Sequence, residues 1–144
     1  MVKVYRNGSS HPDRTVASGA ITLDLASTKV QVGLANRWRL ETLRPEGGSL
    51  IGTSQGKLKR IHKIILRLYK SLGLKYGDSV DTLFEENFSY GTVMGEAPPL
   101  FSGDKVLEFD GDYDNTNSIV LEDDGPFPIQ FQAIMIDMVT EDAR

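Results

Sequence analysis

A chain of 144 residues is long enough for one hydrophobic core, or for two small units that share one. It has no cysteine, which excludes disulfides, thiol catalysis and thiolate metal sites, and no apolar run approaches the length of a membrane span. The net charge of −4 conceals a split: residues 1–75 hold 14 Lys/Arg against 4 Asp/Glu, whereas residues 76–144 hold 2 against 16.

Such polarity is satisfied within one fold, between neighbouring copies, or by a polyanion on the basic half. In chain order, the opening MVKVYRNGSSHPDR lacks the apolar stretch of a secretory leader. Val2–Tyr5 alternates as a short strand, Asn7-Gly8 is a tight-turn signal, and Pro12 and Asp13 add loop character. Ile21–Leu23 and Val30–Val32 read as short strands, with Gly33 closing the second. Arg37–Leu43 alternates, and Pro45 through Gly56 is a Gly/Ser/Thr-rich loop and the best internal boundary.

The next stretch supports two readings. Leu58, Ile61, Ile65, Leu68 and Leu72 have helical spacing, with Gly73 placed to end a helix. Ile64, Leu66 and Leu68 alternate against Ile65, Arg67 and Tyr69 as in a strand. Further on, Leu83–Phe88, Lys105–Phe109, Ser118–Glu122 and Ile129–Val139 read as strands, and Asp110–Asn117 is a turn by composition. Both faces of the last strand turn apolar from Ile134 to Met138, which predicts a central place in its sheet. The pattern is mainly β and antiparallel, with few or no helices.

Few constellations carry chemistry. Asp110, Asp112 and Asp114 open like a calcium loop, but Asn115 stands at the turn glycine and Leu121 at the bidentate glutamate, so a solvated turn is expected. Gly52–Lys57 falls one residue short of a phosphate loop, and Leu58 replaces its metal-binding hydroxyl. His11 sits beside Pro12 and Asp13, His62 has no carboxylate near it in sequence, and two histidines without cysteine make a zinc site only with carboxylate help. Glu85-Glu86 and Asp123-Asp124 are adjacent, so on strands they face opposite sides. No catalytic residue, metal site or cofactor is expected.

The basic set Arg37, Arg39, Arg44, Lys57, Lys59, Arg60, Lys63 and Arg67, with Lys70, is the main candidate. With Trp38 and Tyr69 interleaved it suits a nucleic-acid-binding β module, through phosphate neutralisation and stacking. Alternatively its guanidinium forks pair with carboxylates of residues 76–144 on a neighbouring copy, a head-to-tail contact able to close into a ring. Of the two, the subunit contact is preferred, since no nucleic-acid-binding motif is present.

Several pieces, taken in order and spacing, resemble a known family. They are VQVGL at Val30–Leu34, ETLRP at Glu41–Pro45, GKLKRI at Gly56–Ile61 and RLYKSLGLKYG at Arg67–Gly77. PPLFSGDK at Pro98–Lys105 and GPFPIQFQAIM at Gly125–Met135 follow. Together they resemble the C-terminal region of tail tube (nozzle) proteins of short-tailed phages, the tail tubular protein B-like or stabilisation-protein-like components. The resemblance implies a partial small β-barrel segment over residues 1–45 and an antiparallel β platform domain over 46–144. It also favours the strand over the helix for residues 57–72.

Functionally it implies a structural virion component, not an enzyme: a homo-oligomeric tail ring below the head-to-tail connector, assembled in the host cytoplasm without a membrane anchor. Its partners would be the connector, other tail proteins, and double-stranded DNA that passes through without specific binding. A lumen must not hold DNA, so Asp110, Asp112 and Asp114 are expected to face the bore or solvent and the basic set to sit in interfaces. Relatives are longer and carry a propeller-like region and a strand ahead of Val2, so a fragment or short form is expected. The truncated barrel would leave an unpaired edge near Val30–Gly33.

Overall fold

The computed structural model describes residues 1–49, 52–86, 88, 93 and 96–141. Twelve strands and no helix are found among them, so none is long and apolar enough to cross a membrane as a helix. The first sheet has the order β2-β1-β3, from β1 (Val2–Arg6), β2 (Ser9–Arg14) and β3 (Val30–Gly33). Asn7 and Gly8 join β1 to β2, both with positive φ (46° and 91°), the left-handed pair that a tight hairpin turn requires. The Asn7 side-chain oxygen then accepts the backbone N–H groups of Thr28 (3.2 Å) and Lys29 (3.0 Å), which steers the chain into β3.

Two larger sheets follow. One has the order β4-β11-β8-β9, from β4 (Trp38–Glu41), β8 (Lys75–Gly77), β9 (Phe84–Glu85) and β11 (Val120–Asp123). The other has the order β10-β7-β12, from β7 (Leu58–Ser71), β10 (Phe101–Glu108) and β12 (Phe131–Glu141). All named pairings are antiparallel, and a small ladder joins β5 (Gly48–Ser49) to β6 (Gly52–Thr53). The core lies between the two larger sheets. Ile61, Ile64, Leu66 and Leu68 of β7 meet Leu121 of β11, and Trp38 stacks edge-on to Phe131 at 5.5 Å. Tyr5 against Phe127, at 6.0 Å, ties the first sheet to this body.

The mainly β, antiparallel, helix-free architecture is thus as expected, with residues 58–71 forming a strand. The barrel-like opening segment is an open three-stranded sheet; no sheet closes on itself. The helical spacing within β7 has a specific origin. Its side chains are buried at 59 and 61, then at 64, 66 and 68, then at 71. One extra residue at His62, opposite the Asp137/Met138 junction, and another at Tyr69–Lys70, opposite Ser102, shift the alternation twice. Two bulges therefore turn a period of two into jumps of three.

Four local expectations are corrected. Ile21–Leu23 is not a strand: it is irregular, runs into a bend at Asp24 and Leu25, and pairs with no strand. Ser9–Arg14 is a strand and not a loop, and tolerates Pro12 because β2 is an edge. β12 ends its sheet and β7 occupies the centre; the outward apolar face of β12 is explained by Met135 packing beside Ile65. The expected strand Leu83–Phe88 is reduced to β9, and its Asn87 lies outside the described residues.

Candidate interaction surface

The basic side chains are dispersed by the fold into separate ion-pair groups. β4 and β11 place Arg39 directly opposite Glu122. Glu122 is 4% exposed and receives Arg39 Nε and a terminal nitrogen, both at 2.8 Å, while Arg37 Nε reaches its other oxygen at 3.1 Å. A buried carboxylate needs such donors, and two guanidinium groups supply them.

Lys59 is 1% exposed, because the His62 bulge brings it onto the core side of β7. Its ammonium meets Glu46 Oε1 at 2.9 Å. Glu46 also accepts the Ser54 hydroxyl at 3.1 Å and faces Arg44 Nε at 3.4 Å. The hydrogen bond from Lys59, helped by those from Ser54 and the nearby cations, holds the Glu46 carboxyl below its ordinary range despite partial desolvation. The loop between β4 and β7 is therefore clamped to the platform by one buried cation.

The outward face of the β10-β7-β12 sheet carries three cross-strand rows. Asp104, Arg67 and Ala133 form the first, Val106, Ile65 and Met135 the second, and Glu108, Lys63 and Asp137 the third. Residues directly opposite share a face, so an apolar row lies between two charged ones. Arg67 grips Asp104 with two bonds, at 2.7 and 2.9 Å, which lowers the Asp104 carboxyl and raises the guanidinium. His62 adds a contact to Asp137 at 3.2 Å. Lys57 is also engaged, and Lys70 lies over the Tyr69 ring at 5.3 Å.

Asp110, Asp112 and Asp114 project from the loop after β10, and all three are exposed. Asp110 has 89% of its side chain in solvent and only a long contact, 3.9 Å, to Arg60. Asp114 is bound by its own turn: the Thr116 hydroxyl and the N–H groups of Asn115 and Thr116 donate to it, which lowers its carboxyl. That turn is anchored to β7 by paired backbone bonds between Asp114 and Lys59, each 2.9 Å. No cluster of three or more potential metal ligands occurs among the described residues.

The eight residues expected at interfaces thus do not form one contiguous patch. Arg37, Arg39, Arg44, Lys59, Arg60 and Arg67 each meet a carboxylate of their own chain, and Lys63 lies opposite two. Glu46 and Glu122, which organise two of these groups, went unnoticed in the sequence. Their signal was slight: Glu46 is one of only four acids in the basic half, and Glu122 ends an apolar run. No protein-family model matches the chain, and no curated protein matches it.

Proposed function

We propose that this chain is a structural component of a phage tail, a ring-forming tube or nozzle subunit whose assembled bore conducts double-stranded DNA without binding it. The ordered motifs from Val30 to Met135 and the helix-free, antiparallel build support that reading. The observation that carries it is electrostatic. Arg37, Arg39, Arg44, Lys59, Arg60 and Arg67 each meet an in-chain carboxylate, while Asp110, Asp112 and Asp114 are solvent-exposed. A surface of that kind offers DNA phosphates few uncompensated cations, which suits a conduit and not a nucleic-acid-binding module. The same pairing limits what charge alone contributes to subunit contacts, so the apolar row Val106–Ile65–Met135 and the open sheet edges become the more important candidates.

The reading is tested by negative-stain imaging and light scattering of the purified chain, with DNA binding measured alongside. Rings that do not retain double-stranded DNA at low salt are expected. A solitary chain whose DNA affinity falls steeply with salt would replace this reading with the nucleic-acid-binding one.

A further inference from the structure

Sheet edges left unpaired invite foreign strands, and proteins guard them with charges or proline. Among the described strands that end one of the three larger sheets, β2 carries Pro12, β4 Arg39, β9 Glu85, β10 Asp104 and β12 Asp137. β3, Val-Gln-Val-Gly, carries neither. No hydrogen bond from the described residues reaches its outer side. Val32 lies opposite the fully buried Val4, on the same face, yet is 49% exposed. A further strand would continue the sheet and cover Val30 and Val32.

We propose that β3 receives the β12 edge of a second copy of this chain, a contact that rests on the ring reading and names how the ring is joined. β12 is the longest strand with an open outer edge, and it pairs with β7 alone. In an antiparallel register with Gln31 opposite Asp137, Val30 faces Met138 and Val32 faces Ile136. These are the β12 side chains that already pack on the core. Lys29 then stands opposite Val139, itself 48% exposed, with Asp137 and Glu141 on its two diagonals. Diagonal neighbours lie within reach of a lysine side chain. Apolar groups therefore meet on one face while one cation sits between two anions on the other. Because the contact joins two different edges, it is head-to-tail and closes into a ring when the rotation permits.

The absence of native cysteine makes the contact directly readable. Gln31→Cys and Asp137→Cys are exposed single substitutions, and directly opposed strand residues lie within disulfide distance. Mixing the two variants under mild oxidation is expected to give a covalent dimer on a non-reducing gel that neither variant gives alone. Adding Lys29→Glu should lower its yield several-fold, with Glu141→Lys on the partner chain restoring it. A disulfide dimer from Gln31→Cys alone would mean a two-fold β3–β3 pair and overturn the proposal, as would no cross-link in the mixture. Light scattering of the unaltered protein separates the two failures. Rings without the cross-link remove only this contact, whereas a solitary chain removes the ring reading as well.

Discussion

Glu122 is the residue on which most of the local charge balance turns. It is buried, it accepts from Arg37 and Arg39, and it lies in a strand flanked on both sides, by β4 and β8. Replacing it by Ala removes the shared acceptor of Arg37 and Arg39, whose side chains are partly exposed, and leaves a small void where the buried carboxylate was. Glu122→Ala is therefore expected to cost about 2–3 kcal/mol, read as a lower urea midpoint with an unchanged slope. Glycine matters at one nearby site: Gly73 has φ of 73°, and a Cβ there would lie 2.7 Å from the Phe127 ring. Neither fact was legible beforehand. A lone Glu in an apolar run and a Gly after an apolar stripe each had several readings, and only the neighbours selected one.

At the scale of the element, β7 organises the platform. It is fourteen residues long, lies between two other strands, and is bulged twice. The second bulge holds Lys70 at φ of 47°, a conformation that costs a non-glycine residue roughly 1–2 kcal/mol. Lys70 is exposed, and its ammonium has only the Tyr69 ring beneath it. Lys70→Gly should relieve that strain and raise stability by up to about 1 kcal/mol in equilibrium denaturation, net of the entropy glycine gains when unfolded. The bulges also explain why periodicity in this stretch left helix and strand undecided. Ile65, which completed the helical stripe, faces outward beside Val106 and Met135, while Ile64 and Leu66 are buried.

Across the whole molecule, the basic and acidic halves meet inside one fold. Arg39–Glu122, Arg67–Asp104 and Lys75–Asp124 each join the first 75 residues to the remainder. The hydrogen bond from Lys75 holds Asp124 below its ordinary range, as Arg67 does Asp104 and Lys59 does Glu46. Carboxylates depressed in the folded state contribute stability above their unfolded pKa, and that contribution is lost as pH falls through their folded values. Asp123 acts oppositely: burial raises its carboxyl, so its contribution is present at low pH and lost as pH rises through the raised value. With Glu46, Asp104, Asp114 and Asp124 shifted one way and Asp123 the other, the melting temperature should fall on acidification below about pH 4–5. A melting temperature that rises over that range would show these pairs to be inconsequential.

Composition and alternation were sufficient to establish a cysteine-free, mainly β, antiparallel chain, because strand formation follows from local period and turn chemistry. They also exposed the division of charge along the chain. Which charges meet was decided only by tertiary structure. Sheet order and bulges put Arg39 opposite Glu122 and turned Lys59 inward onto Glu46, and those neighbours are distant in sequence or reached through a change of strand phase. Pairing across sheets depends on register and topology, and neither is written in the spacing of residues along a single strand.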